Sequence, residues 1–366
     1  MKPSKPVTVI FTGYAPVHFL CFRPIYQRLI ELDNVEVYLS GGLRTETEPG
    51  FLYDEEAMYA PFDIPSERIL TVEEIQNRYF DVLFSANKRI IAPLENFGTK
   101  IQIFQGVSFR NRGVRTENLV YDFFFVIGAY MGQKFAETGL LPEHDPRRVP
   151  IGFPKTDPLV KGEFNRKELL SQYGFDGQRP VILYAPTGQA YNSLETMGKE
   201  VIQRLSATGK YDLLIKPHDH AKNTDTNWFR ELAPLEDAHT KLVRALDITP
   251  LLFLADLLIT DASSVANEYT LLNRPLVFLD VPKLIQAARA EGAFVDLHTW
   301  GRRGGLLVEY PEQIEEVVAT SFADRDRLSG IRSAIASDLF YNPGHATDAA
   351  ISWFTKKFLN HFAQVH

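Results

Sequence analysis

Short apolar runs alternate with stretches of helical periodicity along most of this chain. Residues 7–11 (VTVIF), 80–84 (FDVLF) and 181–184 (VILY) are rich in β-branched and aromatic side chains, which favours strands buried on both faces. Polar turns follow these runs, and helical stretches separate several of them. This order predicts parallel sheets with helices on both faces, so we assign the chain to the doubly wound α/β class.

Glycine and proline punctuation before the middle of the chain predicts two domains. Gly152 and Pro154 interrupt the chain directly after an apolar run, and Asp157 is placed to tie the linker down. We predict a first domain over residues 1–155 and a second over residues 156–345. A chain of 366 residues is long enough for both.

The most informative stretch predicts a strand, a turn, a helix and a second strand. Residues 257–259 (LLI) are a buried strand, residues 260–264 (TDASS) a turn of small side chains, and residues 265–272 a helix that ends before a second strand at residues 276–279 (LVFL). A helix that begins in this way presents unpaired backbone N–H groups and the positive end of its dipole. Both features favour a bound phosphate.

The side chains of this turn support the same prediction. Ser263 or Ser264 can cap the helix, and Glu268, one turn further in, could reach a ribose hydroxyl. An ordinary capped βαβ unit would show the same turn, so the turn alone leaves both interpretations open. The predicted donor-side residues of the turn and its helix are Thr260, Asp261, Ser263, Ser264 and Glu268.

Two further predicted strands of the second domain end in candidate ligands. Thr187 ends the predicted strand at residues 179–187, and the strand at residues 212–216 delivers Lys216 and His218. Lysine and histidine at a strand end would neutralise charge on a transferring phosphoryl group. His218 and His220 also have a spacing that suggests a metal, but no convincing third ligand accompanies them, so we predict no metal site.

A candidate in the first domain follows the first strand. We predict that the next helix begins near Phe22, which leaves His18 in a loop at the carboxyl edge of the sheet, where open α/β sheets bind ligands. A neutral imidazole suits a general base, whereas the plain alternative is a helix cap. The loop lacks the GxGxxG spacing, so we do not predict a dinucleotide fold.

Composition and charge narrow the function classes. With 45% apolar and 23% charged residues this is an ordinary globular chain, and its net charge of −7 argues against gripping nucleic acid or an anionic membrane by bulk charge. We find no apolar run of roughly 18 residues and no signal peptide, so we expect a cytoplasmic protein. The single Cys21 excludes an internal disulfide framework and a cysteine-based metal site.

Several motifs together resemble the CDP-glycerol glycerophosphotransferase family, the teichoic-acid polymerases and their relatives. The resemblance is carried by TDASSVANE with the following Arg274-Pro275, by LYAPT at 183–187, by KPH at 216–218, and by GFPKTD and GYAPVH in the first domain. It implies the glycosyltransferase-B arrangement, with two Rossmann-like domains facing across a cleft. It also implies that the last helix, residues 346–366, packs back onto the first domain, rather than lying on a membrane.

The resemblance further implies a chemistry. An acceptor hydroxyl would attack the phosphoryl group of a CDP-activated alcohol in line, with His18 as the general base and CMP as the leaving group. Lys216, His218 and the turn would hold the diphosphate, and Glu268 the ribose. No metal or other cofactor is implied. The acceptor would belong to a glycan or a lipid-linked polymer, with at most peripheral contact at the inner face of the membrane.

This sequence departs from the family pattern at two places that bear on chemistry. Gln105 stands where the family has a histidine, and a glutamine cannot act as an acid or base near neutral pH. Gln189 stands where the family has an arginine. Beside Gln105, the arginines Arg110 and Arg112 could contact an anionic acceptor or form a solvated basic loop. We predict Gln105, Arg110 and Arg112 on the acceptor side.

Two other functions fit the same phosphate-binding turn. A nucleotide-sugar glycosyltransferase or a hydrolysing UDP-N-acetylglucosamine 2-epimerase would need carboxylates in the first domain, where Glu117 and Asp122 are available. A non-catalytic nucleotide-binding protein is the alternative from another class, because two family side chains are replaced.

Overall fold

The structure, a computed structural model, describes residues 5–47, 50–86, 90–107, 113–218, 226–290 and 301–359. The chain forms two compact units. The first comprises Met1–Gly106, Gly113–Asp157 and Phe340–His366, and the second comprises Val107–Arg112 and Pro158–Leu339.

Strands and helices alternate in both units. The strands are β1 (Val7–Gly13), β2 (Val35–Gly41), β3 (Leu43–Thr47), β4 (Gly50–Asp54), β5 (Phe80–Ser85), β6 (Phe97–Gln102), β7 (Phe123–Val126), β8 (Arg148–Pro150), β9 (Val181–Tyr184), β10 (Asp212–Ile215), β11 (Thr240–Leu242), β12 (Leu257–Thr260), β13 (Leu276–Leu279) and β14 (Leu306–Val308). The α-helices are α1 (Pro16–Leu29), α2 (Glu55–Tyr59), α3 (Val72–Ile75), α4 (Ala129–Glu137), α5 (Asp157–Lys161), α6 (Arg166–Gln172), α7 (Lys199–Ala207), α8 (Trp228–Leu232), α9 (Thr249–Leu254), α10 (Val265–Thr270), α11 (Pro282–Ala290), α12 (Ile314–Ala323), α13 (Ser329–Leu339) and α14 (Ala346–Phe354).

Each unit contains a parallel sheet of six strands in the described part of the chain, which confirms the predicted fold class. The orders are β2-β1-β5-β6-β7-β8 and β11-β10-β9-β12-β13-β14. In each sheet the chain builds outward to one side from a central strand and then crosses to the other side, so the order reverses between β1 and β5 and between β9 and β12. Open α/β sheets bind ligands at such switch points, outside the carboxyl ends of the strands.

Strands β3 and β4 form an antiparallel hairpin directly after β2. Residues 45–80 are rich in glutamate, tyrosine and proline, and this composition predicts no particular element, so the hairpin was not predicted from the sequence. The hairpin begins at the carboxyl end of β2, and the Arg44 backbone N–H donates to the Tyr14 carbonyl at 3.2 Å. The hairpin therefore lies against the loop that follows β1.

The first helix begins earlier than the sequence prediction, which placed its start near Phe22. Helix α1 starts at Pro16, and Pro24 lies inside it. Proline suits the first helical position, because its missing N–H has no intrahelical partner there, whereas the prediction had placed Pro16 in the break after the first strand. His18 consequently lies in the first turn of α1 rather than in the preceding loop.

Helix α14 contributes to the core of the first unit. Phe354 belongs to the same buried apolar cluster as Phe11 and Phe84, and the Phe84 and Phe354 ring centroids are 6.3 Å apart. Full burial of one phenylalanine contributes roughly 1.5–3 kcal/mol. Within the residues described here, no helix has the length and apolar character needed to cross a membrane.

Asp157 fixes the start of α14. Its Oδ1 accepts the Ala346 backbone N–H at 3.0 Å, and its Oδ2 accepts the Thr347 N–H at 2.7 Å. The residue preceding the helix, His345, makes no capping hydrogen bond with its side chain. A carboxylate from the linker, itself 4% exposed, therefore satisfies two N–H groups of the first turn from outside the helix.

We expect Asp157→Ala to lower the free energy of unfolding by about 2–3 kcal/mol, because two buried N–H donors lose their acceptor. The free energy of unfolding of Asp157→Asn should lie between those of Asp157→Ala and the wild type, since an amide offers one acceptor oxygen instead of two. Urea denaturation measures both. Asp348→Ala is the matched control: this exposed carboxylate on the same turn pairs with Arg28, so its loss should cost no more than about 1 kcal/mol. Equal midpoints for Asp157→Ala and Asp348→Ala would contradict the capping role.

Candidate functional site

Three neighbouring strands of the second unit deliver the predicted donor-side residues to one edge of the sheet. Lys216 and His218 follow β10, Thr187 follows β9, and the turn 261–264 follows β12. The Lys216 backbone N–H extends the ladder by donating to the Tyr184 carbonyl at 2.9 Å. Since β9 lies between β10 and β12, these loops meet at the switch point of the sheet.

Asp261 links the turn after β12 to the loop after β9. Its Oδ1 accepts the backbone N–H groups of Thr187 at 2.8 Å and Ala262 at 2.6 Å. Its Oδ2 accepts the Ser193 backbone N–H at 2.9 Å and the Ser193 hydroxyl at 2.8 Å. Burial raises the pKa of Asp261, and the hydrogen bonds from Ser193, Thr187 and Ala262 act in the opposite direction.

This geometry changes the role assigned to Asp261. The residue is fully buried, and both of its oxygens are occupied by donors of the protein itself. We predicted direct contact with the donor, but the carboxylate instead holds two loops of the candidate site in one arrangement. Such supporting groups keep a binding site within the narrow tolerance that recognition needs.

Other side chains of the turn also differ from the prediction. Thr260 is fully buried, and its hydroxyl donates to the Ala185 carbonyl at 2.7 Å. Ser264 occupies the position before α10 but makes no capping hydrogen bond with its side chain, and the Ser263 hydroxyl accepts the Val265 N–H at 3.5 Å, a long contact. The predicted serine cap at Ser264 is therefore wrong, and Ser263 and Ser264 are the partly exposed hydroxyls of the turn.

The helix that follows this turn is short. Helix α10 has six residues, whereas the pattern predicted residues 265–272. Glu268, in its first turn, is 3% exposed, and Lys216 is 7% exposed, while His218 is exposed. His218 is thus the ionisable side chain at this edge that is most open to a ligand, and the predicted ribose contact of Glu268 stays a prediction.

A hydroxyl relay behind the site was missed by the sequence analysis. The Tyr184 hydroxyl lies 2.7 Å from the Ser193 hydroxyl, which in turn donates to Asp261. Burial raises the pKa of Tyr184, so it stays a neutral phenol. The Asn192 side chain shapes the same loop by accepting the Leu194 N–H at 2.9 Å. Asn-Ser is a weak loop signal by itself, and the partner Asp261 is 68 residues further along the chain.

In the first unit, His18 is held by the loop that precedes its helix. The ring is 2% exposed, and its Nδ1 accepts the Tyr14 backbone N–H at 3.1 Å. The Tyr14 and His18 rings meet edge to face with centroids 4.2 Å apart. Because Nδ1 serves as an acceptor, the neutral imidazole carries its proton on Nε2. The ring therefore presents a hydrogen-bond donor rather than a free base.

Two glycines allow the chain to bring His18 to this position. Gly41 has a φ of +93°, and a Cβ there would lie 1.8 Å from the Gly13 carbonyl oxygen. A Cβ on Gly13 would lie 2.9 Å from the His18 Cβ and 2.8 Å from the Met58 Cε. The ends of β1 and β2 approach too closely for any side chain, which explains why small residues are required beside His18.

A row of polar side chains crosses the first sheet near its carboxyl edge. Ser40, Thr12, Ser85 and Gln102 are paired in register across β2, β1, β5 and β6, and all four are buried. In the described structure, the Thr12 and Ser40 hydroxyls have no hydrogen-bond partner. Burial raises the pKa of Tyr121, and a hydrogen bond with Ser85 opposes this rise. The sequence signal for this row was one polar residue near the end of each apolar run.

The predicted acceptor-side residues are only partly described. Gln105 is exposed, and its amide Nε2 donates to the Ala86 carbonyl at 3.1 Å, which ties the loop after β6 to the loop after β5. Arg110 and Arg112 lie outside the described residues, as does His220. In the parts of the chain that are described, no three His, Cys, Asp or Glu side chains form a group able to hold a metal ion.

The carboxylates that a sugar-transferring enzyme would need are placed elsewhere. Asp122 precedes β7, at the amino edge of the first sheet, where it accepts the Lys100 backbone N–H at 2.8 Å and pairs with the Lys100 ammonium at 2.9 Å. Glu117 is exposed in the turn before it. Neither lies at the carboxyl edge that carries His18.

Comparison with known proteins assigns the family. The sequence model of the CDP-glycerol:poly(glycerophosphate) glycerophosphotransferase family matches residues 89–326. The chain belongs to this family.

Curated relatives match only part of this glycerophosphotransferase-family chain. The teichoic acid glycerol-phosphate primase of Bacillus spizizenii is 27% identical over 217 residues, which is 57% of this chain and 51% of that protein. The primase of Bacillus subtilis is 32% identical over 139 residues, 37% of this chain and 33% of that protein. The chain thus spans about half the length of the first relative and a third of the second.

Solved structures show the same fold for this family member. The wall teichoic acid polymerase TagF aligns with a TM-score of 0.66 at 17% identity, covering 99% of this chain and 91% of that one. A UDP-N-acetylglucosamine 2-epimerase aligns with a TM-score of 0.62 at 13% identity, covering 96% of both chains. At these identities the likeness concerns the fold, which is shared by enzymes of different chemistry.

Proposed function

We propose that this chain is a transferase that moves a glycerol phosphate-like group from a CDP-activated alcohol to a hydroxyl acceptor during synthesis of a cell-surface polymer. The family assignment supports the reaction class, and the similarity to teichoic acid glycerol-phosphate primases supports the polymer. The observation that carries the proposal is the ordered edge of the second sheet, where Asp261 joins the turn 261–264 to Thr187 beside the Lys216 strand end.

The donor side supplies positive charge and hydroxyl groups for a diphosphate. We assign the diphosphate to Lys216, His218, Ser263 and Ser264, and the ribose to Glu268. Phosphoryl transfer passes through a loose transition state, in which charge accumulates on the phosphoryl oxygens and the leaving group. Catalysis then depends on positioning and electrostatic stabilisation more than on covalent chemistry, and a lysine and a histidine at one edge offer that stabilisation.

The acceptor side gives His18 a role other than the predicted one. In the tautomer set by Tyr14, the Nε2–H donates, so we propose that His18 orients the acceptor hydroxyl or stabilises a phosphoryl oxygen. As the new P–O bond forms and the bond to CMP breaks, the proton of the acceptor hydroxyl passes to the departing CMP phosphate, so this step requires no base at His18. The acceptor we propose is a hydroxyl of a glycan or lipid-linked polymer, met at the cytoplasmic face of a membrane.

Nucleotide release from a donor panel tests this function. The panel holds CDP-glycerol, CDP-ribitol, UDP-N-acetylglucosamine and a CMP-sugar, each assayed with and without a chelator. We expect CMP from a CDP-alcohol, and equal rates with chelator, because no metal or other cofactor is part of the proposal. UDP from the sugar donor would instead assign the chain to the epimerase or glycosyltransferase class, whose fold it shares. Tight binding of all donors without release, even with acceptors added, would favour a nucleotide-binding protein.

A further inference from the structure

Arg44 is held between aromatic rings beside His18. Its guanidinium carbon lies 4.4 Å from the Tyr14 ring centroid and 4.5 Å from the Phe51 ring centroid. Tyr53 is its direct cross-strand neighbour in the β3–β4 hairpin. Phe51 lies two residues from Tyr53 along β4, so it stands on the same face of the hairpin as Tyr53 and Arg44. The hairpin thus places the Arg44 guanidinium against aromatic rings, next to the loop whose Tyr14 N–H positions His18.

The guanidinium is left with its donors available. Arg44 is exposed, and among the described side chains it forms no ion pair and no side-chain hydrogen bond beyond its contacts with the two rings. Aromatic faces hold a guanidinium by its plane, and its N–H groups point outward along the edges. A planar cation in that state is arranged for two parallel hydrogen bonds to a carboxylate or a phosphate.

The location of this cation indicates which anion it meets. The Tyr14 ring that holds Arg44 also contacts the His18 ring, with centroids 4.2 Å apart, and the Tyr14 backbone N–H fixes the His18 tautomer. Arg44 and His18 therefore both contact the Tyr14 ring. A group bound by Arg44 would lie close to the acceptor hydroxyl that His18 is proposed to orient.

We propose that Arg44, with Tyr14, Phe51 and Tyr53, forms the binding site for a phosphate group of the acceptor. This inference rests on the proposed function, in which a hydroxyl acceptor reacts beside His18. The family description already implies a phosphate-bearing acceptor, and the inference assigns the residues that bind its phosphate. A terminal polyol phosphate would place its phosphate on the guanidinium and its free hydroxyl toward His18 Nε2. The aromatic faces would hold the plane of the guanidinium while its N–H groups pair with the phosphate.

The first experiment measures binding without requiring turnover. Glycerol 3-phosphate is titrated by calorimetry into wild type, Arg44→Ala and Arg44→Lys in saturating CDP, which occupies the donor side, and glycerol is the uncharged control ligand. We expect glycerol 3-phosphate to bind about 10–100-fold more weakly to Arg44→Ala, with Arg44→Lys between, because an ammonium cannot form the bidentate pair. Glycerol should bind to none of them.

The chain offers a matched control for the loss of a stacked arginine. Arg78 lies over the Tyr38 ring at 4.1 Å and the Phe80 ring at 5.2 Å, in the same unit but at the start of β5, the opposite edge of the sheet. Arg78→Ala removes an equivalent cation from an equivalent pair of rings, so it should bind glycerol 3-phosphate like wild type. Equal affinity of wild type and Arg44→Ala, or no binding to wild type at millimolar concentration, would overturn the proposal.

A second experiment separates this inference from the proposed function. With CDP-glycerol and a phosphoglycerol-terminated acceptor, Arg44→Ala should raise the acceptor KM about 10–100-fold and leave the donor KM within about twofold. If wild type releases no CMP from CDP-alcohols, the proposed function fails while the calorimetry still decides the phosphate site. If turnover occurs and the acceptor KM is unchanged in Arg44→Ala, the phosphate site fails while the function stands.

Discussion

Asp261→Ala should both destabilise the second unit and weaken nucleotide binding. The substitution removes the acceptor of four hydrogen bonds from Thr187, Ser193 and Ala262 in a fully buried place. We expect the free energy of unfolding to fall by about 3–5 kcal/mol, a large share of the roughly 5–15 kcal/mol of a typical fold. The dissociation constant for CDP should rise at least ~10-fold, because the loops after β9 and β12 lose their common anchor.

The opposite edge of the sheet supplies the control for this prediction. Asp256 lies just before β12, where its Oδ2 accepts the Val181 backbone N–H at 2.9 Å and pairs with Arg166 at 2.8 Å. It therefore joins the starts of the two strands whose ends Asp261 joins. Asp256→Ala should lower stability as well, yet leave CDP affinity unchanged in calorimetry below the melting transition. If both variants lost affinity equally, the effect of Asp261 would be loss of stability and not loss of site geometry.

The edge of the second sheet could be predicted because parallel strands impose it. An apolar run ending in a polar turn identifies the carboxyl end of a strand, and neighbouring parallel strands place these ends together. Strand-end positions and the family resemblance together assign Thr187, Lys216 and Asp261 to one site, and the structure places them after β9, β10 and β12, which are adjacent. The pattern of apolar runs thus located the strand ends, and the resemblance grouped them.

The direction of each side chain within the site could not be predicted. Nothing in the turn 260–264 distinguishes a carboxylate that faces solvent from one that faces Ser193, which lies in another loop. The order of the strands, which decides that contact, depends on packing between distant residues. The contact of Arg44 with Phe51 could not be predicted for the same reason. It depends on the register of the β3–β4 hairpin, whose sequence shows no clear alternation of apolar and polar residues.

One local helix signal was misinterpreted at the start of α1. Pro16 can begin a helix, but in the sequence prediction it belongs to the break at residues 12–16, which places the predicted start near Phe22. The structure keeps one continuous helix over Pro16–Leu29. His18 therefore lies in the first turn of α1 and not in the predicted loop. In this position its Nδ1 accepts the Tyr14 backbone N–H.

His18→Asn and His18→Gln should have opposite effects on stability and activity. The asparagine oxygen lies close to the place of the imidazole Nδ1, so it can keep the Tyr14 N–H as a donor, whereas the glutamine amide lies closer to the place of Nε2. We expect His18→Asn to unfold like wild type and to lose about 10²–10³ in kcat, because one hydrogen-bond donor to a reacting oxygen is removed. His18→Gln should lose about 1 kcal/mol of stability, because the Tyr14 N–H is unpaired, but should retain at least ~10-fold more activity than His18→Asn.

The comparison decides between the two roles of His18, and the measurement is CMP release from CDP-glycerol with acceptor, together with thermal unfolding. A hydrogen-bond donor can be replaced in part by the glutamine amide, whereas a general base cannot. Equal inactivity of His18→Asn and His18→Gln would return His18 to proton abstraction and require the ring to release the Tyr14 N–H during the reaction.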